Sequence, residues 1–127
     1  MTLLLTAVGG ALGSLARYAA SVWIHSWAGE GFPWGILAVN AVGSIGLGFV
    51  LPIMVATNVA PALRTGVAVG FFGAFTTMST FGYDTIALLK DGHSAKAAAY
   101  VMASLAFVIA GTFAGYVAGT AWVRAGG

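Results

Sequence analysis

The chain has 127 residues, of which 60% are hydrophobic and only 6% charged. A soluble domain carries about 25% charged residues, so the composition points to an integral membrane protein. The +2 net charge comes from five Lys and Arg side chains set singly along the chain, which gives no electrostatic footprint for nucleic-acid binding. Cysteine is absent, and this excludes disulfides, thiolate metal sites and a cysteine nucleophile.

Four apolar segments follow one another, each near the roughly 20 residues a helix needs to cross a bilayer. They predict a single four-span, all-α membrane domain over residues 1–127. Span 1 covers about residues 2–26 and holds one charge, Arg17. Its start lacks the positive region of a signal peptide, and the apolar run outlasts a signal's length, so a retained span is expected. Span 2 covers about residues 34–57, with Asn40 as its most polar side chain. The run Thr57-Asn58-Val59-Ala60-Pro61 predicts a turn whose proline starts the next helix. Span 3 covers about residues 62–89, with Arg64 near its start and Asp84 near its end. Span 4 covers about residues 95–122, with Ser94 placed to cap it. Trp23, Trp27, Trp34 and Trp122 fall at span ends, where an indole meets both hydrocarbon and headgroups.

Span 3 contains the least helical stretch, Gly70-Phe-Phe-Gly-Ala-Phe-Thr-Thr-Met-Ser-Thr-Phe-Gly82. Glycine is costly in a helix, and threonine and phenylalanine lose rotamer freedom there. Thr76, Thr77, Ser79 and Thr80 put four hydroxyls at mid-membrane depth, where irregular backbone survives only against protein or a polar cavity. A helix broken at an ion site is the expectation, against the plainer one of hydroxyls bonded back to their own helix. Freed carbonyls would suit a cation and the hydroxyls an anion track. Met78 and Phe81, three apart, would share a face beyond the break.

Other polar groups carry plain and sharp readings side by side. Arg17 is costly at its depth and marks a pairing or functional role, or snorkels to the interface; a structural role is favoured over ion contact. Asn40 suits an interhelical hydrogen bond, and more sharply a donor to an anion. Tyr100, Ser104 and Thr112, spaced by four and eight, predict one polar stripe on span 4. His25 and His93 are expected to face solvent. Glu30, Asp84 and Asp91 are scattered in sequence, and no catalytic constellation or phosphate loop is present, so no enzyme is expected. Glycines four apart (Gly9/Gly13, Gly66/Gly70, Gly111/Gly115/Gly119) predict close packing, the last set as a helix or subunit interface. With four spans, Arg64 and Arg124 lie on one side and Lys90 and Lys96 on the other. This balance lacks the bias that sets orientation and is compatible with insertion both ways.

Gly9-Gly-Ala-Leu-Gly-Ser-Leu-Ala-Arg17-Tyr18, Gly35-Ile-Leu-Ala-Val-Asn40 and Gly70-Phe-Phe-Gly-Ala-Phe-Thr-Thr-Met-Ser-Thr-Phe81 resemble the CrcB/Fluc fluoride channels over essentially the whole chain. The resemblance implies an antiparallel, dual-topology homodimer in the cell (inner) membrane with the third helix broken mid-membrane and two fluoride pores. It implies a structural Na+ at the dimer centre on the carbonyls of Gly73 and Thr76. Its pore residues carry over to Asn40, Ser79, Thr80, Phe81, Tyr100, Ser104 and Thr112, with Asp84 at an acidic position beyond the hydroxyls. Met78 stands where the family usually has phenylalanine. Passive fluoride export is the implied function. A small proton-coupled multidrug exporter is the alternative, but it needs a membrane carboxylate, and span 1 has none.

Overall fold

The computed structural model describes all of residues 1–127 as helices joined by short turns, with no strand. Helix α1 is Thr2–Ala28 and α2 is Trp34–Ala56. The third segment has two parts. The first, α3, covers residues 61–75: a turn of α-helix at Pro61–Thr65, a π-helical stretch at Gly66–Phe72, and Gly73–Phe75. The second, α4, is Met78–Lys90, and the last helix, α5, is Ser94–Arg124. Three of these helices (α1, α2 and α5) are long and apolar enough to cross a membrane.

Local chemistry sets the boundaries. Gly29 ends α1 at φ 83°, and Gly92 turns the chain into α5 at φ 79°, a left-handed conformation that costs glycine little. Asn58 takes φ 54° in the turn after α2, a role short polar side chains tolerate. Pro61 occupies the first turn of α3, where its missing N–H is no loss. Ser94 does not cap α5: it is the first helical residue, and His93 precedes it without a side-chain cap.

Two glycine seams hold the bundle. In the first, α1 lies along α3: a Cβ on Gly13 would strike the Phe71 carbonyl, one on Gly9 the Gly66 carbonyl, and one on Gly70 the Thr6 carbonyl. In the second, α2 lies along α5. A Cβ on Gly115 would strike the Ile45 carbonyl, and one on Gly48 the Thr112 carbonyl. The glycines of α5 therefore form a helix–helix interface within the subunit. Residue numbers rise together along each seam, so α1 runs parallel to α3 and α2 parallel to α5.

Ile36, Leu37, Val39 and Tyr100 form a small core, with Phe32, Phe75, Phe81 and Leu88 packed around it. Only 16 of 127 residues are buried, while Leu3, Leu12, Trp23, Met78 and Phe113 are among many large apolar side chains left exposed. A surface this apolar is not tolerated by water; it is made for lipid or for another protein surface.

Candidate functional site: the interruption between α3 and α4

Helical geometry is lost at Thr76 (φ −85°, ψ 158°) and Thr77 (φ −150°, ψ 125°). In a continuous helix the Thr77 amide would donate to the Gly73 carbonyl. It donates instead to Asn40 Oδ1 at 2.8 Å, and Asn40 Nδ2 returns a hydrogen bond to the Thr77 carbonyl at 3.1 Å. One buried side-chain amide, 8% exposed, thus holds both the N–H and the C=O of one residue, Thr77, at the break in the helix. The peptide that carries the Thr77 N–H is also held from α1, where Arg17 Nη1 donates to the Thr76 carbonyl at 3.3 Å. Arg17 of α1 and Asn40 of α2 thus converge on the same two residues. For Asn40 the interhelical hydrogen bond is observed, and one of its two N–H donors remains unused by it.

The hydroxyls divide between two tasks. Thr76 bonds back to the Phe72 carbonyl at 2.9 Å, the plain expectation for a helical threonine. Thr77 is the N-cap of α4, its Oγ1 accepting from the Thr80 amide at 3.3 Å and lying 3.2 Å from Thr80 Oγ1 and 3.3 Å from Ser79 Oγ. Three hydroxyls therefore gather at the N-terminus of α4, where the free amides and helix dipole favour negative charge. Thr77→Val keeps the side-chain volume and removes this cap, and is expected to lower stability by about 1 kcal/mol, read as a lower melting temperature in detergent.

Beyond the hydroxyls, Phe81 packs on Tyr100 with ring centroids 5.2 Å apart, and Phe32 meets Tyr100 edge-on at 5.6 Å. Tyr100 is fully buried, and its hydroxyl donates to Asp84 Oδ2 at 3.3 Å. Ser104, one turn further along α5, has a buried hydroxyl with no partner. Thr112 stands apart. Each step of four residues turns a helix about 40° past a full circle, so the stripe that is buried at Tyr100 and Ser104 reaches the outer surface by Thr112. Its hydroxyl bonds back to the Val108 carbonyl.

A cavity lies to either side of the interruption. The smaller, about 170 Å³, is lined by Asn40, Ser44, Thr76, Thr77, Met78 and Val108. The larger, about 440 Å³, has Thr80 and Asp84 in its wall with His25, Glu30 and Asp91. The three acidic residues, scattered in sequence, thus share one cavity, and His25 is a half-buried member of its wall rather than a solvent-facing group. They do not form a set of three that could hold a metal ion. Met78 and Phe81 part company: Met78 is 73% exposed beside the small cavity, while Phe81 packs inward.

Two carbonyls stand where the helix ends: that of Gly73, and that of Thr76, which accepts from Arg17 and keeps a second lone pair. The Gly73 carbonyl has lost its helical donor to Asn40, and Gly73 is exposed on the subunit surface. Neutral carbonyl oxygens are hard ligands suited to hard cations, so this donor set fits an alkali-metal ion. One subunit supplies too few of them to enclose it.

The sequence from residue 4 to residue 116 matches the family described as "CrcB-like protein, Camphor Resistance (CrcB)". Three curated relatives each carry the name "Fluoride-specific ion channel FluC". The one from Geobacter sulfurreducens is 43% identical, covering 92% of this chain and 95% of the relative. That from Geobacter metallireducens is 42% identical over 91% and 94% of the two chains, and that from Thermus thermophilus 43% identical over 94% of each. With the resembling motifs lying on the residues that build the interruption, the chain belongs to the CrcB/Fluc fluoride channel family.

Proposed function

We propose that this protein is a fluoride-selective channel that lets fluoride leave the cytoplasm passively through the cell (inner) membrane. The observation that carries this reading is the Asn40–Thr77 clamp, with one Nδ2 donor to spare, beside the small cavity that Asn40 lines with Ser44, Thr76 and Thr77. Fluoride is small and strongly hydrated, so a pathway must replace its water with hydrogen-bond donors yet hold it weakly enough for release. Asn40, Ser79, Thr80 and the unpartnered Ser104 hydroxyl supply donors. Phe81 offers a positive ring edge. Tyr100 forms the buried wall behind it, with its hydroxyl tied to Asp84, and Thr112 carries the stripe to the outside. Met78 is polarizable but has no ring edge, so it gives this pathway one aromatic contact where the family usually has two.

The working unit on this reading is an antiparallel, dual-topology homodimer in which α3 and α4 form one membrane span interrupted mid-membrane. The balanced Arg and Lys distribution, the exposed apolar surface and the incomplete carbonyl set all support a second copy. Gly73 and Thr76 of each copy would hold a structural Na+, whose positive charge lowers the cost of an anion in a low-dielectric interior. Arg17, fixed on the Thr76 carbonyl, adds positive charge from α1. The exporter alternative is disfavoured, because Asp84, the one carboxylate near a span interior, is engaged by Tyr100.

Liposomes loaded with fluoride and reconstituted with purified protein test the reading. Fast fluoride efflux recorded by a fluoride electrode is expected, with no comparable efflux when chloride replaces fluoride. Folded protein that leaves the fluoride gradient standing would overturn it.

A further inference from the structure

Away from the interruption, the outer edge of the α2–α5 seam opens into a groove of about 600 Å³, within the 300–1,000 Å³ range usual for ligand sites. Its walls are largely apolar (Leu51, Pro52, Val55 and Val123), with Tyr116 and Arg124 also lining it. The groove's threonines present no polar demand: Thr112 Oγ1 bonds to the Val108 carbonyl, and Thr120 Oγ1 to the Tyr116 and Val117 carbonyls. Apart from the Tyr116 hydroxyl, the one polar demand of the lining is the Arg124 charge, so an occupant needs an apolar body and a group that pairs with a guanidinium.

The charge of the end that carries Arg124 fixes the sign. Because α1 runs parallel to α3 and α2 to α5, the starts of α1 and α3 and the ends of α2 and α5 share one end of the subunit. Arg64 and Arg124 lie there. Every acidic side chain of the chain (Glu30, Asp84 and Asp91) lines the cavity at the opposite end. Trp122, 46% exposed, sits two residues before Arg124 and suits the headgroup layer, which places the guanidinium at the depth of lipid phosphates.

We propose that this groove is a binding site for an anionic phospholipid, one acyl chain lying along Leu51, Pro52 and Val55 and the headgroup phosphate meeting Arg124. The pairing of guanidinium with phosphate is charge-assisted and geometrically matched. The proposal does not depend on which ion the protein conducts, and its test reads lipid rather than flux.

Native mass spectrometry of the purified protein with equal amounts of palmitoyl-oleoyl phosphatidylglycerol and phosphatidylcholine gives the retained ratio of the two lipids. A single basic residue near the headgroups corresponds to about a five-fold preference for the anionic lipid. Arg124→Gln is expected to bring the ratio close to one, and Val55→Trp, which fills the groove, to reduce retention of both lipids. Lys96→Gln, at the acidic end, is expected to leave the ratio unchanged. An unaltered preference in Arg124→Gln, or equal retention of the two lipids by the unmodified protein, would overturn the proposal. So would efficient cross-linking between copies through Val55→Cys, the only cysteine in such a chain, since a second copy would then cover the groove.

Discussion

Asn40→Asp is expected to reduce fluoride efflux by more than about ten-fold, equivalent to ~1.4 kcal/mol on the barrier, and to lower the melting temperature as well. The substitution preserves shape and keeps an oxygen for the Thr77 amide, which now donates to Asn40 Oδ1 at 2.8 Å. What it removes is the Nδ2 donor to the Thr77 carbonyl. A carboxylate oxygen in that place faces a carbonyl oxygen, with neither able to donate. Loss of a buried donor costs about 1–3 kcal/mol, more when a charge is left unpaired. The same oxygen repels an anion arriving at the Ser79 and Thr80 hydroxyls. Two readouts separate the effects. A destabilised variant that still conducts at the original rate would mean Asn40 only holds the chain. A variant unchanged in both melting and flux would remove the clamp from the account altogether.

The interruption shows how far sequence carries and where it stops. Poor helix formers between Gly70 and Gly82 point to irregular backbone, and Thr76 and Thr77 are indeed extended. The residues that make this tolerable sit far away in the chain. Arg17 and Asn40 reach the Thr76 and Thr77 carbonyls from 59 and 37 residues away, and no local pattern encodes such a partnership. The π-helical turn at Gly66–Phe72 was also illegible. Its signal lies in the Gly66 and Gly70 contacts with α1, which depend on how closely two backbones approach. The same limit applies to the acids. Glu30, Asp84 and Asp91 meet only because the first turn of the bundle folds over the end of α4, so their shared cavity is a tertiary fact. The stripe from Tyr100 to Thr112 leaves the buried face for a different reason. Four-residue spacing matches a helix only approximately, and over twelve residues the drift carries a side chain from the buried face to the surface.

A pair of glycine substitutions, chemically identical, is expected to move stability in opposite directions. Gly10→Ala places its Cβ in open space, with nothing within 4 Å. It gains helix propensity and is expected to stabilise α1 by about 0.5–1 kcal/mol. At Gly115 the same methyl would meet the Ile45 carbonyl and, at 2.9 Å, the Phe49 amide nitrogen. Both are backbone atoms of α2 that cannot rotate away, so the two helices must separate. Overpacking of this kind costs about 1–3 kcal/mol, and here it acts along a seam that Gly111 and Gly119 also hold closed. The consequence reaches the site, because α2 carries Asn40 and α5 carries Tyr100 and Ser104. Widening the seam draws the Asn40 amide away from Thr77, so Gly115→Ala should lose fluoride efflux and melting temperature together. Gly10→Ala should keep full efflux. Equal behaviour of the two variants in melting would mean that the α2–α5 seam is not the close backbone contact from which the placement of Asn40 follows.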